Sequence, residues 1–396
     1  MVRCSAKTAS LTNERFRASQ YPAFGVPMIP GHIDVASYTL NVRWRCRGLG
    51  CGLLLTLATW FASTPALLTA QAPLERSGEA VPRDVRELYQ RGLEYLVRTQ
   101  DGAGNWQGGG EQGPGVTGMC MMVLLASGED PNYGLYSGNI RRALRSIITA
   151  QDAKTGYLGP SMYHHGFSML ALAEAYGTVD DRNLWTSDAD KDKQRSIGAA
   201  LELAVRLAIT SQKKNGSGAW RYSPDARDAD TSVAGSITVG LLAARNAGIE
   251  VPDEAIDKAV RYFQKNTSDK GQVAYSGGLG GFDDSLARVS IATLVFAVAR
   301  RKDLPEFKTT SGFLSSRIEG ETENHYRDYT RYYQAQALFQ SNMDSWEKWN
   351  KILVRKLKLE QTPDGSFQGD HGVTVATALN LLAIAVNFRF LPIYER

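Results

Sequence analysis

The side chains best suited to acid–base chemistry occur in a few short stretches of the sequence. Carboxylates come in two close pairs, Asp228 with Asp230 and Asp283 with Asp284. The histidines that follow the N-terminal segment are His164, His165, His325 and His371. Two carboxylates, or a carboxylate and a histidine, that face each other across a cavity are what a carbohydrate-cleaving enzyme requires. The residues that leave this activity open are Asp230, Asp283, His165 and His371.

Each of these residues also has a structural explanation. Asp230, Asp284 and Asp370 come just before apolar segments, where an Asp commonly accepts hydrogen bonds from the free amides of a helix N-terminus. The histidines show no His-x-x-x-His or comparable spacing on one predicted helix, so the sequence predicts no metal site. Capping and catalysis are therefore competing interpretations of the aspartates, and loop positions and ligand contacts are competing interpretations of the histidines.

Aromatic residues flank the same positions and would give a cavity apolar walls that can stabilise a cation. They are Tyr163, Tyr222, Tyr275, Phe282, Tyr326, Tyr329, Tyr332 and Tyr333. The last three lie at i, i+3 and i+4 of one predicted helix. One stripe of that helix is therefore expected to face a cavity, while the rest packs against a neighbouring helix.

An internal repeat indicates which elements position these residues. The helical segment from Arg91 to Gln100 is followed by Gly104 and Trp106. Further copies pair Gln151 with Gly156-Tyr157, Gln212 with Gly218 and Trp220, and Gln361 with Gly365 and Phe367, and a degenerate copy runs from Ala255 to Tyr275. Copies spaced by roughly 50 to 60 residues are typical of a repeat architecture.

A second, more apolar helix is predicted after each of these turns. The predicted segments are Val116 to Ser127, His165 to Tyr176, Ser232 to Asn246, Ser285 to Arg300, Tyr329 to Ser341 and Val373 to Phe388. A helix that is apolar on every face is buried, whereas the helices before the turns carry charge on one face and belong to an outer layer. Six inner and six outer helices predict an all-α fold, a closed (α/α)6 toroid with the candidate residues around one mouth.

The first repeat resembles the motif that names the squalene and oxidosqualene cyclases, which ends in Gln and Trp. The matching residues are Arg91, Gly92, Tyr95, Leu96, Gln100, Gly104 and Trp106. Three other copies keep Gln, Gly and an aromatic residue, so the resemblance covers the chain from residue 73 onward. It implies the toroid of these cyclases and of the protein prenyltransferases. In this fold we expect Gln to bond free carbonyls at a helix end and in the next turn, with the aromatic ring stacked on it.

The resemblance also implies where an acid would lie. In the triterpene cyclases, an Asp-x-Asp-Asp-Thr motif protonates the isoprenoid through its middle Asp. The stretch from Asp228 to Ser232 has Ala229 in that place, whereas Phe282-Asp283-Asp284-Ser285 keeps the acid at Asp283 and has Gly281 in place of the first Asp. Since these cyclases pair two helical domains and this chain supplies one, the sequence argues against cyclisation of squalene and leaves open an isomerisation started by Asp283.

Two other activities found on this fold need reactive residues that this sequence lacks. The prenyltransferases bind zinc through an Asp-x-Cys pair and a distant His, and the sequence contains no Asp-x-Cys. The thioester domains of the α2-macroglobulin and complement proteins use Gly-Cys-Gly-Glu-Gln. The similar stretch Gly108-Gly109-Gly110-Glu111-Gln112 has no cysteine and cannot form a thioester. We therefore expect no cofactor.

The N-terminal 72 residues differ from the rest in composition. Arg43, Arg45 and Arg47 precede an apolar run, and Ala70-Gln71-Ala72 supplies a small-x-small cleavage site, which is typical of a secretory signal. We predict an extension and signal peptide over residues 1–72, with the signal at 43–72 and cleavage near Ala72. We predict one toroid domain over residues 73–396, exported to the periplasm or beyond, with no membrane span.

The distribution of charge and of cysteine residues bears on nucleic-acid binding and on disulfide bonds. The net charge of +4 reflects basic residues of the N-terminal segment, so nothing indicates a nucleic-acid partner. Three of the four cysteines lie in the same segment. The remaining Cys120 lies in an apolar run and is predicted to be a buried thiol rather than a disulfide partner.

The sequence leaves three hypotheses on function. The first is an exported protein that binds or isomerises an isoprenoid-type apolar molecule in the central cavity. The second is a non-catalytic binding or scaffold module of the cell envelope, whose partner protein the sequence does not identify. The third is the carbohydrate-active barrel enzyme. The candidate catalytic residues are Asp283, Asp284 and Asp230, and the candidate ligand-binding residues are His164, His165, Asp228, Tyr329 and His371.

Overall fold

A computed structural model describes residues 81–107, 112–185, 193–277, 282–319 and 326–394. These residues form twelve α-helices in alternation and no β-strand. The outer helices are α1 (Arg83–Thr99), α3 (Ser137–Ala150), α5 (Ile197–Lys214), α7 (Asp253–Lys265), α9 (Pro305–Ser315) and α11 (Met343–Glu360). The inner helices are α2 (Pro114–Leu125), α4 (Met162–Ala175), α6 (Thr231–Asn246), α8 (Leu286–Val298), α10 (Arg327–Ser341) and α12 (Val373–Ala385). The predicted (α/α)6 toroid is confirmed. The predicted signal peptide and the domain boundary after residue 72 lie outside the described residues.

The two layers follow from the distribution of apolar residues along each helix. In α1, Val85, Leu88 and Leu96 are buried at helical spacing while charged residues face outward. In α12, every residue after Val373 is buried. A helix of the second kind is stable only when it is covered on all sides. The outer helices supply that cover.

The inner helices form a closed ring. Each packs against the inner helices before and after it, and α12 completes the circle against α2. In the outer layer α1 packs against α11 and α12. The first and last pairs therefore bury each other, as predicted for a closed toroid.

A glutamine at the end of four outer helices fastens neighbouring pairs. The side-chain amide of Gln151 donates to the Gly156 carbonyl (3.1 Å) in its own turn and to the Ala200 carbonyl (2.8 Å) in the next outer helix. Gln100 and Gln212 make the corresponding pairs of bonds. We call this arrangement the glutamine latch.

The last latch closes the ring. Gln361 donates to the Gly365 carbonyl in its own turn and to the Leu88 carbonyl of α1, both at 2.9 Å. Arg91 of α1 adds a bond to the Thr362 carbonyl (2.9 Å). The contact between the first and last pairs is therefore of the same kind as the contacts inside the ring.

The tryptophans of the repeat bond to their own outer helices. The indole nitrogen of Trp106 donates to the Leu96 carbonyl (2.7 Å), and that of Trp220 donates to the Ala208 carbonyl (2.8 Å). The Leu96 carbonyl also accepts from the Gln100 amide (3.2 Å), so the indole adds a second bond and fixes the turn against the end of the helix.

The glycine of the turn is required by both conformation and space. Gly365 has a φ of 92°, in the region that disfavours side chains. A Cβ at this position would lie 2.2 Å from the Arg91 carbonyl oxygen of α1. Gly104 meets the Arg142 carbonyl in the same way. The turn therefore touches the backbone of the next outer helix, and any side chain would separate them.

One assignment within the repeat needs correction. Tyr157 was expected to be the aromatic residue of the second copy, but it is half-buried and lies one residue after the turn glycine. Leu158, two residues after that glycine, is fully buried like Trp106, Trp220 and Phe367 at the same offset. The position requires a large buried side chain, and an aromatic ring is one of several that fit.

The turn after α7 keeps the glycine contact but not the latch. Asn266 occupies the glutamine position, and its shorter side chain donates to Tyr262 of its own helix (2.8 Å). Gly271 still meets the Thr309 carbonyl of α9, where a Cβ would lie 2.4 Å away. In this sector the pairs therefore pack together without the side-chain bridge.

Two further predictions concern the thiol of Cys120 and membrane-spanning helices. Cys120 is a free, fully buried thiol, and burial raises its pKa, which confirms the prediction of a structural cysteine. Across the described ranges, no helix combines the length and apolar character needed to cross a membrane.

Candidate functional site

A cavity of about 510 Å³ lies at the end of the ring where the inner helices begin. All six inner helices or the residues that cap them contribute to its lining, through Gly115, Ser161, Ser232, Ser285, Tyr326 and His371 among others. Its volume is within the range of roughly 300 to 1,000 Å³ that is usual for small-molecule sites. We call it the central cavity.

The deeper part of the central cavity is apolar. Met119, Phe167 and Leu379 lie five or six residues past the first residues of α2, α4 and α12. At the rise of an α-helix this places them about 7 to 9 Å below the rim. The floor therefore favours a hydrocarbon over a polar group.

Tyrosines form the wall of the central cavity. Tyr163 packs against Tyr222 and Tyr329 with ring centroids 6.1 and 6.3 Å apart, the second pair edge to face. The hydroxyl oxygens of Tyr222 and Tyr275 are 2.7 Å apart, within hydrogen-bond distance. Burial raises the pKa of Tyr163 and Tyr329, so these phenols stay protonated at neutral pH.

The carboxylate beneath this wall is Asp230, which is fully buried. Its Oδ1 caps α6 by accepting from the Ser232 and Val233 amides (2.8 and 2.9 Å). Its Oδ2 accepts from the Tyr222 hydroxyl (3.3 Å). Asp230 therefore fixes a helix end and a tyrosine of the wall, and does not itself line the cavity.

Two arginines flank the tyrosines at the rim. The Arg221 guanidinium lies 5.4 Å from the Tyr222 ring centroid, and the Arg288 guanidinium lies 5.9 Å from that of Tyr275. Arg288 also lines the cavity and donates to the Val273 carbonyl (3.0 Å). The inner helix N-termini point the same way and add partial positive charge at the rim.

Asp283 lies outside the cavity, and its carboxylate stabilises the turn just before α8. It accepts from the Ser285 amide (3.0 Å), pairs with Arg288, and its side chain is 62% exposed. Asp284 is bonded to Gln272 (2.7 Å) and Arg317 (2.8 Å), which hold its pKa below the ordinary value. Both carboxylates face solvent and basic partners, whereas an acid that protonates an alkene needs a dry position facing the ligand.

Asp228 is likewise exposed and paired with Arg221 at the rim. It does not line the central cavity. Its backbone carbonyl accepts from Asn215 (2.8 Å), which holds the turn before α6 in place.

The histidines separate into two groups. His164 lines the central cavity, with its Nδ1 accepting from the Gly115 amide (3.2 Å). His371 also lines it, on an exposed turn where its ring stacks on Tyr326 at 5.9 Å. His165 points the other way, into the contact with α5, and is fully buried. The predicted residue His325 lies outside the described residues.

The buried ring of His165 serves the fold. Its Nδ1 accepts from the Leu158 amide (3.2 Å), and its Nε2 lies 3.0 Å from the Ala204 carbonyl, to which it donates. Burial lowers the pKa of His165 to about 4. A neutral imidazole with one donor and one acceptor suits this position, and the ring does not face the cavity.

The structure thus brings together part of the predicted set. His164, Tyr329 and His371 line the central cavity, as do Tyr163, Tyr222, Tyr275 and Tyr326 from the predicted aromatics. Tyr332 and Tyr333 are packed in the core, and Phe282 is exposed. Arg288, Met119 and Phe167 were not singled out from sequence. An arginine in the first turn of the otherwise apolar helix α8 was the available signal for the first of them.

The lining defines what the cavity can do chemically. It combines an apolar floor, tyrosine hydroxyls, two histidines and one arginine, and its lining residues include no carboxylate. Within the described ranges, no group of three or more His, Cys, Asp or Glu side chains is arranged to hold a metal ion. The arrangement suits binding of an apolar molecule that carries a polar end at the rim.

Comparison with protein families gives one match. Residues 86–372 match the model of the family described as a domain of unknown function, DUF6288. This range spans most of the toroid, from α1 to the start of α12. No curated protein matches the chain.

Solved structures with the same fold come from proteins of different activity. A type II terpene cyclase, MstE from Scytonema, with its substrate geranylgeranyl dihydroxybenzoate has a TM-score of 0.53 at 13% identity, covering 78% of this chain and 98% of that one. A protein from Actinoplanes has 0.51 at 12% identity, covering 77% and 99%. An unsaturated glucuronyl hydrolase specific for heparin has 0.50 at 12% identity, covering 76% and 96%. At these identities the similarity shows the fold alone: a divergent toroid like that of the terpenoid cyclases.

Proposed function

The chain belongs to the DUF6288 family, and from that premise we propose that this member binds an isoprenoid-type apolar molecule in its central cavity. The observation that carries the proposal is the apolar floor of Met119, Phe167 and Leu379 below a tyrosine wall. Burial of a hydrocarbon against such a floor is favourable by about 25 cal/mol per Å² of apolar area. The terpene cyclase of the same fold, whose substrate carries a geranylgeranyl group, supports this ligand class.

We further propose that the protein binds its ligand without protonating it, so that Asp283 does not act as a catalytic acid. That carboxylate is engaged by the Ser285 amide and Arg288 and faces solvent. The phenols of the wall are kept neutral by burial and are weak acids, so they orient a ligand and do not protonate an alkene. On this account the protein is a binder or carrier, and the cyclase resemblance extends to the fold and to the ligand class.

The direct test is ligand retention. Purified protein is incubated with a lipid extract and, in parallel, with geranylgeraniol, then washed, and the bound material is identified by mass spectrometry. Unchanged polyprenoid bound in a one-to-one ratio is the expected result. No bound polyprenoid in either arm would count against the proposal.

A matched pair of variants ties binding to the cavity. Leu379→Trp fills the floor and is expected to weaken geranylgeraniol binding at least tenfold, since the ring occupies the ligand's volume. Leu359→Trp introduces the same residue on the exposed face of α11 and is expected to leave the affinity unchanged. Equal affinities for the two variants, with both folded by circular dichroism, would place the ligand elsewhere.

Asp283→Asn addresses the second part of the proposal. The variant keeps a side-chain oxygen that can accept from the Ser285 amide and removes the acid. Ligand retention and the identity of the bound molecule are therefore expected to be unchanged. A rearranged product that forms with the unmodified protein and disappears in Asp283→Asn would instead establish the acid-initiated isomerisation implied by the motif.

We also propose that the protein is exported, on the basis of the basic and apolar pattern of residues 43–72 and the cleavage site at Ala70-Gln71-Ala72. The expected mature N-terminus is near Pro73. N-terminal sequencing of the protein from a fractionated bacterial host tests this. Full-length protein in the cytosolic fraction would contradict it.

A further inference from the structure

A second cavity of about 410 Å³ adjoins the central cavity between the first turns of α10 and α12. The two cavities share Tyr326, Tyr329 and His371 at their boundary. Away from that boundary the second cavity is lined by polar residues that the central cavity lacks: Arg327, Asp328, Gln368 and Asp370. We call it the side chamber.

Asp328 is the best-fixed side chain of the side chamber. It is 9% exposed, and its Oδ1 accepts from Asn380 (2.8 Å) and lies 3.8 Å from the Arg331 guanidinium. Arg331 is itself held by Glu360 through two bonds of 2.7 and 2.9 Å. The carboxyl group is therefore positioned by a buried network and keeps one geometry.

The loop opposite is shaped to admit this carboxyl group. A Cβ on Gly369 would lie 2.3 Å from the Asp328 Oδ2 and 2.7 Å from the Ala376 side chain. Only glycine therefore fits between the carboxyl group and α12. Burial raises the pKa of Asp328 despite the nearby arginines, so the group carries its proton to higher pH than an exposed Asp.

The charges and rings of the side chamber fit a neutral polar group. Two carboxyl groups, Asp328 and Asp370, stand beside the Arg327 guanidinium and the His371 imidazole. Arg327 is further tied to the Gln368 carbonyl (3.0 Å). The His371 and Tyr326 rings stack at 5.9 Å with planes 28° apart, which presents a flat apolar surface. Hydrogen-bond donors and acceptors on several sides, an amide and flat rings match several hydroxyl groups on a ring better than an ion of either sign.

We propose that the side chamber binds the hydroxyl-bearing, sugar-like head group of the molecule whose apolar part fills the central cavity, and that Asp328 is the residue that selects it. This inference rests on the proposed function, because the chamber joins the central cavity at the rim. It adds the class of the polar end: a neutral glycosylated apolar molecule.

The test compares two probes that differ only in the head group. Calorimetric titration of the full chain with geranylgeraniol and with geranylgeranyl β-D-glucoside gives the ratio of the two Kd values. We expect the glucoside to bind about tenfold more tightly, the gain of one or two well-placed hydrogen bonds. Asp328→Ala is expected to bring the ratio close to one.

A second variant keeps the test valid if Asp328→Ala does not fold. Gln368→Ala alters an exposed side chain of the chamber and is expected to lower the ratio about threefold. If geranylgeraniol binds but the glucoside binds equally or more weakly, the side chamber inference is wrong and the proposed function stands. If neither probe binds, the proposed function fails and this inference fails with it. An unchanged ratio in both variants overturns the role of Asp328 and its chamber.

Discussion

The ring contains two kinds of helix pair, which contribute different residues to the site. Four pairs end their outer helix with a latch glutamine, namely Gln100, Gln151, Gln212 and Gln361. After α7 an asparagine takes that position, and the sequence from Ser316 to Tyr326 contains no glutamine. We call these the latched pairs and the unlatched pairs.

The unlatched pairs, α7 to α10, contribute charged residues to the site. Arg288 at the cavity rim and Arg327 and Asp328 in the side chamber lie on α8 and α10. The latched pairs contribute mainly apolar floor residues and aromatic rings, such as Met119 and Phe167, and add Gln368 and Asp370 to the side chamber. Among the described residues, three of the four Arg and Asp side chains that line the two cavities therefore lie on the pairs without a latch.

The largest expected effect is on the latched side. Gly365→Ala forces a side chain into a φ of 92° and against the Arg91 carbonyl, so we expect a loss of about 4 kcal/mol in the free energy of unfolding. Urea unfolding measures it. The control is Gly312→Ala in α9, where an added Cβ meets nothing within 4 Å and helix propensity predicts a gain of about 1 kcal/mol. Similar changes for both variants would show that the close contact at the turn glycine does not limit stability.

The next effect concerns how the free energy of unfolding depends on pH, which we expect to have opposite sign in the two regions. In the latched region His165 has a pKa lowered to about 4 from 6.5, so its stabilisation is complete above pH 6.5 and is lost as pH falls toward 4. The linkage relation gives about 3 kcal/mol over that interval. We expect His165→Gln to have a flatter profile between pH 7 and 4 than the unmodified protein, as measured by thermal unfolding.

In the unlatched region Asp328 has a raised pKa. Its stabilisation is therefore present below its ordinary pKa and is lost as pH rises through the raised one. Asp328→Asn is expected to remove that decline, the reverse of the histidine variant. Parallel shifts of both variants with pH would show that the two regions do not differ in this respect.

The smallest expected effect is the difference in stability between losing a latch glutamine and losing Asn266, the shorter side chain at the same position after α7. Gln361→Leu removes two hydrogen bonds, one of them the bridge to α1, and we expect a loss of about 2 kcal/mol. Asn266→Leu removes one bond, made within its own helix, and we expect about half that loss. Chemical denaturation of both variants at one pH measures the difference. A larger loss for Asn266→Leu would mean that the unlatched turn bears more of the ring's stability.

The fold could be predicted because its determinants are local in the sequence. The glutamine, the glycine and the following large residue lie at most eight positions apart in each copy, and the inner helices are apolar on nearly all faces. That each glutamine bonds to carbonyls and ties neighbouring pairs together could be predicted. Which carbonyl of the next outer helix accepts the bond could not, since it lies some 40 to 50 residues away.

The site was harder to predict because it depends on the rotation of each inner helix. His164 and His165 are adjacent in sequence, yet one lines the cavity and the other faces α5, since successive residues of a helix point about 100° apart. Asp328 looks like an ordinary first-turn residue of α10. Its burial comes from Asn380, 52 residues further along, which no spacing rule anticipates.

The bond from Gln361 to Leu88 joins residues 273 positions apart, and this has a consequence for how the chain is made. During synthesis α1 emerges first and must wait for α11 and α12 before its exposed edge is covered. Until then the protein is an open arc with an uncovered apolar side, the kind of partly folded species that is prone to aggregate. A toroid closed by its two ends thus completes its folding only when its last helix pair is free to dock against its first.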